Sequence, residues 1–310
     1  MKTIELTTQI AMKNILFATD FSPASEAPLA CAEAFARHYD SKLYLVHVIA
    51  PGADQEGAAR TPPIPIEQTC HPVQERMSEL SRSKGLQGIP HESIIREGDI
   101  ADTLSDIVRN WGIDLAVLGT HGRHEVQKFV LGSVAEAIFR RATCPVLTVG
   151  PRACGNAGGK MKLRRILFGT DLTPTSLAAL PLALSLAQEH QAQLTLLWLV
   201  HPEIQSPSER HRIKTGYETQ LQNLVPEETK RWCQVEAVVN FGLAAEGILQ
   251  FADRQQTDLI VLGVRGLGVF DWAASHIPSP TAYVVAAQAT CPVMTVHDFQ
   301  TPLNASSESL

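Results

Sequence analysis

Three glycines and a serine carry the most suggestive chemistry in this sequence. Gly119 and Gly122 are followed, after nine intervening residues, by Gly132 and Ser133, with an apolar strand from Asp114 to Leu118 ahead and an apolar-periodic helix from Gly132 to Arg141 behind. Glycine enters left-handed conformations at little cost, and its missing Cβ lets a bulky anion touch main-chain N–H groups. The first N–H groups of a helix have no internal partner and sit at the positive end of its dipole. Arg123 and Lys128, in the intervening loop, add cations able to close over a phosphate tail. A lone G-x-x-G is ordinarily a turn, and Ser133 alone a helix cap. Strand, loop and helix in this order make a phosphate cradle the better reading.

Asp20 stands directly after the apolar run Asn14 to Thr19, so it belongs at the same sheet edge as the glycine loop. A carboxylate there accepts from ribose hydroxyls or holds a metal-bound water; alternatively it caps the helix begun by Ser22 and Pro23. His121 and His124 lack the third and fourth ligands that zinc needs, so no metal site is assigned. His47, in a strand, is read as packing or capping. Ser133 has no general base near it in sequence; its hydroxyl is read as a donor to phosphate, and no catalytic residue is assigned. GVRGLG at Gly263 to Gly268 is discarded as a dinucleotide fingerprint, because it follows the fourth strand of its unit rather than the first.

The elements that must position these residues are written twice. NILFATD at Asn14 to Asp20 is answered by RILFGTD at Arg165 to Asp171; Glu97 to Gly122 aligns without a gap to Phe241 to Gly266; ATCPVLTVG at Ala142 to Gly150 matches ATCPVMTVH at Ala289 to His297. Three blocks in one order mean a duplicated domain. The expected division is 1–150, a glycine-rich linker 151–162, 163–298, and a tail 299–310. In the first half, strands at 14–19, 42–49, 91–96, 114–118 and 145–149 alternate with helices at 22–38, 66–84, 100–111 and 132–141. That pattern predicts an α/β class with two doubly wound, five-stranded parallel sheets, ligands sitting at the carboxyl ends of the strands.

Gly119-x-x-Gly122, nine residues and Gly132-Ser133 resemble the ATP-binding signature of universal stress proteins, and the duplicated pattern extends the resemblance over nearly the whole chain. It implies an adenine nucleotide alpha hydrolase-like fold with strand order 3-2-1-4-5. It also implies an ATP site, with Mg, in a cytoplasmic stress-response protein that uses the nucleotide for regulation. Ala18, Thr19 and Asp20 match the family's small-Thr-Asp pattern at the nucleoside. Val46 would present main-chain groups to adenine, and Leu118, Gly119, His121, Gly122, Arg123, Gly132, Ser133 and Val134 would line the phosphates. Single domains of the family often pair through their last strands, so the two halves are expected to pair within the chain, with a homodimer as a further step. Slow ATP hydrolysis, resting on Asp20 and His121, and a nucleotide-independent partner-binding scaffold are the alternatives.

The second half departs from the signature. Gly263 and Gly266 remain, but alignment from ATCPV places Ser279, Pro280 and Thr281 against Gly132, Ser133 and Val134, while Leu267 replaces Arg123 and Asp271 adds negative charge. Proline has no N–H to offer. Losing two charge-assisted bonds of roughly 1.5–3 kcal/mol each predicts a site empty of ATP. Asp171 is expected to survive there only as a helix cap for Thr173.

Composition sets the outer bounds. The 310 residues are 45% hydrophobic and 19% charged, enough to build cores for two domains. A net charge of −6 argues against general nucleic-acid binding, which needs a basic face. Six cysteines without a C-x-x-C pair suit buried thiols in a reducing compartment. No apolar run reaches the roughly 18 residues a membrane span requires, so no membrane association is expected.

Overall fold

Asp114 and Asp258, equivalent in the two halves, show how the repeated sequence starts each sheet. Asp114 Oδ2 accepts from the N–H groups of Lys13 at 2.8 Å and Asn14 at 2.9 Å; Asp258 Oδ2 accepts from those of Arg164 at 2.7 Å and Arg165 at 2.9 Å. Each carboxylate ties the start of its half's fourth strand to the start of its first. The computed structural model describes residues 10–50, 66–120, 131–151, 153, 161–201, 206–265 and 280–298.

The first half contains β1 (Asn14–Ala18), α1 (Glu26–Tyr39), β2 (Lys42–Ile49), α2 (Ile66–Ser81), β3 (His91–Glu97), α3 (Ile100–Asn110), β4 (Leu115–Gly119), α4 (Ser133–Arg141) and β5 (Val146–Val149). The second half repeats the scheme with β6 (Arg165–Gly169), α5 (Pro174–Leu177), α6 (Leu180–His190), β7 (Gln193–Val200), α7 (Pro207–Asn223), β8 (Val235–Phe241), α8 (Ala244–Gln255), β9 (Leu259–Arg265), α9 (Pro280–Gln288) and β10 (Val293–Asp298). Ser22 does not cap with its side chain as expected. A short 3₁₀ turn, Pro23–Ser25, precedes α1, and Asp20 holds the entry instead.

Strand order is β3-β2-β1-β4-β5-β10-β9-β6-β7-β8, which is 3-2-1-4-5 within each half. The two expected sheets are continuous: β5 and β10 pair antiparallel, with Thr148 opposite Val293 and Val146 opposite Thr295, and every other pairing is parallel. An apolar strand left at a sheet edge invites non-native pairing, and joining β5 to β10 removes both such edges. The buried Thr148 and Thr295 hydroxyls donate across the seam to Val293 O at 3.2 Å and Val146 O at 3.4 Å.

One core covers the face that carries α1 and α6 and runs through both halves, joining Phe17, Phe35, Val117 and Leu147 to Leu180, Leu184 and Met294. On the opposite face, Leu16, Val46, Leu104 and Ile138 pack together, while Leu131, Ala135 and Phe139 of the first half pack with Leu262, Val285 and Ala286 of the second. Burial pushes the thiol of Cys31 up to about 11 and those of Cys144 and Cys291 to about 12, which keeps them protonated and unreactive. Among the described residues no helix is long and apolar enough to cross a membrane.

Candidate functional site

The carboxyl end of β1 turns sharply. Phe21 adopts φ +59°, a left-handed conformation that costs a non-glycine residue about 1 kcal/mol, and its counterpart Leu172 does the same at +62°. Thr19 and His47 hold this turn. The Thr19 hydroxyl accepts from Phe21 N–H at 3.0 Å, Thr19 N–H donates to Val46 O at 2.9 Å, and the imidazole Nδ1 of His47 donates to Thr19 O at 2.7 Å. Thr19 is therefore bound up in shaping the turn, and His47 packs as expected. Asp20 is thereby brought to the sheet edge, half-buried, with Oδ1 accepting from Ser22 N–H and Ser25 hydroxyl, both at 2.9 Å. Asp20 thus braces the turn from two residues ahead of Ser22, which holds the cap position without a side-chain bond of its own. The Ser22 hydroxyl beside it is buried and has no hydrogen-bond partner among the described residues.

Strand register decides what β2 offers. Its even-numbered residues turn main-chain groups toward β1, as Lys42 N–H does to Lys13 O at 2.8 Å; its odd-numbered residues turn toward β3, as Leu43 N–H does to Pro90 O at 2.8 Å. Val46 has its carbonyl engaged by Thr19 and its side chain fully buried. Its expected role of offering main-chain groups to a base is accordingly corrected. Ala18 opposite Val46 is the last β1 pair, so Val48, two residues on, turns the same groups toward the open edge.

β4 ends at Gly119, paired with Val149, and Leu118 beneath it is a core side chain, 2% exposed. Thr120 is fully buried; its N–H donates to Val149 O at 3.2 Å and its carbonyl accepts from Gly132 N–H at 2.9 Å. The Gly132 amide is spent inside the protein and its φ of −58° is not left-handed, so what the glycine still contributes is its missing Cβ, which leaves the neighbouring amides uncovered. Gly132 instead precedes α4 without a side-chain cap, and the first helical bond runs from Glu136 N–H to Gly132 O at 2.8 Å. The amides of Ser133, Val134 and Ala135 consequently have no helix carbonyl to bond, and they stand at the positive end of the helix. Asp20, Val48, Gly119 and the start of α4 thus share one sheet edge at the switch between β1 and β4, where the adjoining chain connections leave in opposite directions. His121, Gly122 and Arg123 lie outside the described residues.

The second half differs at the same edge. β9 continues to Arg265, paired with β10 as far as Asp298, two residues longer than β4 is. A Cβ on Gly263 would run into the backbone carbonyls of Thr175 and Ser176 in α5, so packing alone demands a glycine here. Asp171 was expected to cap this helix, but the cap is Thr173, whose hydroxyl accepts from Ser176 N–H at 3.2 Å; Asp171 braces it, with Oδ1 accepting from Thr173 N–H at 3.0 Å and Thr173 hydroxyl at 2.6 Å. Burial alone would raise its pKa, but the bonds from Thr173 and Ser176 outweigh it and hold the carboxyl below the usual range. α9 begins at Pro280, where α4 begins at Ser133.

A model of the universal stress protein family matches residues 12–150 and again 162–297. The chain belongs to that family. A universal stress protein of Mycolicibacterium smegmatis is 25% identical over 291 residues, 91% of this chain and 96% of that one. Universal stress protein A homolog 1 of Coxiella burnetii is 33% identical over 140 residues, 44% of this chain and 95% of its own. The crystal structure of a universal stress protein from Archaeoglobus fulgidus superposes with a TM-score of 0.67 at 18% identity, covering 92% of this chain and 98% of that one, a likeness of fold.

In this tandem universal stress protein, sequence reasoning missed Thr120, Val48 and Ala135. Val48 was accessible by counting two residues past the last possible β1 pair. Ala135 follows once the helix start is fixed, because the three amides after the cap are always the unbonded ones. Thr120 gave no signal, since a buried threonine after a glycine is compatible with many turns.

Proposed function

We propose that this universal stress protein binds one ATP, with Mg, at the carboxyl edge of its first half and acts as a nucleotide-dependent regulator in the cytoplasmic stress response. The observation that carries the reading is the run of three amides, Ser133, Val134 and Ala135, left without helix carbonyls at the edge that also holds Asp20. Those donors suit a phosphate chain, and a magnesium ion would supply neutralisation of the phosphate oxygens. Val48 offers main-chain groups to the edge of a base, Asp20 and the unpartnered Ser22 hydroxyl suit ribose oxygens, and Gly119 leaves the phosphates room. Ala18, Leu118 and Val134 line or support the cleft. Arg123, His121 and Gly122 complete the proposed phosphate loop. The closed second half contributes no nucleotide site.

Calorimetric titration of the full chain with ATP and Mg tests this. One mole of nucleotide per mole of chain, lost on Gly132→Leu, is the expected result. No heat in the wild-type protein would leave a partner-binding scaffold, and two moles would refute the closed second half.

A further inference from the structure

The helix that begins the phosphate site is seated on the other half of the molecule. Leu131, Ala135 and Phe139, exposed by 1%, 3% and 1%, share a core with Leu262, Ala282, Val285 and Ala286. Two hydrogen bonds cross at the ends of α4. The Tyr283 hydroxyl donates to Leu131 O at 3.3 Å, and the buried His297 donates from Nε2 to Phe139 O.

Leu131 C=O and Gly132 N–H belong to one peptide unit. That plane is therefore held from both sides: its N–H by Thr120 in the first half, its C=O by Tyr283 in the second. A peptide is rigid, so fixing both ends fixes the direction in which the chain enters α4 and the aim of the Ser133, Val134 and Ala135 amides. Preorganised donors bind an anion better than donors that must be ordered on binding. We propose that Tyr283 is a positioning residue for the phosphate end of the nucleotide site, so that the half without a site sets the affinity of the half with one. This rests on the nucleotide reading above. It gives the closed half a function beyond covering the edge of β5, and any partner or modification that shifts α9 changes nucleotide affinity through the same peptide.

The test compares ATP with adenosine in wild type and Tyr283→Phe, which keeps the ring in the core and removes only the hydroxyl. A bond of 3.3 Å lies at the long end for a hydroxyl donor, so the ATP dissociation constant is expected to rise about three- to tenfold. Adenosine, which has no phosphate, is expected to bind both proteins equally. An unchanged ATP constant overturns the proposal, as does equal weakening of ATP and adenosine, which would mean a general loss of structure. A wild type that binds adenosine but gains nothing from the phosphates overturns it too, and a wild type that binds neither ligand overturns the nucleotide reading itself.

Discussion

Asp99 and Leu243 occupy the same position in the two halves and only Asp99 caps its helix. Asp99 Oδ1 accepts from Asp102 N–H at 2.9 Å, whereas Leu243 makes no side-chain bond and is 52% exposed. The backbones agree, φ −61° and ψ 127° against φ −70° and ψ 133°, so an aspartate fits without rearrangement. Leu243→Asp is expected to stabilise the protein by about 0.5–2 kcal/mol, the usual worth of a cap. Urea melts read this directly; an unchanged or lower midpoint would count against the cap as the missing contact.

Ser133→Pro transfers to the first half what Pro280 already does in the second. Proline suits the first position of a helix, and Gly132 at φ −58° and ψ 147° has the extended conformation that a following proline demands. The helix should form as before, with one donor amide removed from the site. ATP affinity is expected to drop roughly tenfold to 150-fold, the worth of one charge-assisted bond, with circular dichroism unchanged. Wild-type affinity in a folded variant would exclude that amide from the site.

Gly263→Ala is expected to destabilise the second half by about 1–3 kcal/mol, as overpacking does, because the backbone of α5, which cannot swing aside as a side chain can, stands where the methyl group would go. Denaturant unfolding of the variant measures it. A neutral result would mean that α5 does not rest on β9.

His190 predicts an acid-sensitive contact between the halves. It ends α6 and stacks on His38 of α1, ring centroids 4.4 Å apart, with Glu189 at 3.2 Å from His38. Burial first, and His38 second, push its pKa from 6.5 to about 4. The unfolded chain therefore takes up this proton at a higher pH than the folded one. The contribution is intact above about pH 6.5 and drains away as the pH falls toward 4. His190→Gln should flatten the loss of stability across that window in urea melts at several pH values; parallel curves for the two proteins would refute it.

Most of the fold was legible because the chain repeats itself. A pattern that appears twice fixes the strands, the crossovers and the boundary between copies with little dependence on propensity. Strand ends and helix starts were less secure. Ser22 looked like a cap, but the bond went to Asp20, since the left-handed Phe21 turns the Asp20 carboxylate back onto Ser22 N–H. Val46 looked like the base-facing residue, and only the pairing of Ala18 with Val46 showed that its groups were engaged and that Val48 lies next in the same orientation.

The spacing of Gly119, Gly132 and Ser133 by itself established a strand followed by a helix at a sheet edge, and the proline at 280 that the second copy's helix starts with one amide fewer to offer. Which amides remain to be offered was decided only by tertiary structure. A main-chain donor is available when no carbonyl stands opposite it, and that depends on neighbours distant in sequence: Thr120 taking the Gly132 amide, Tyr283 holding the Leu131 carbonyl, and α5 lying over Gly263.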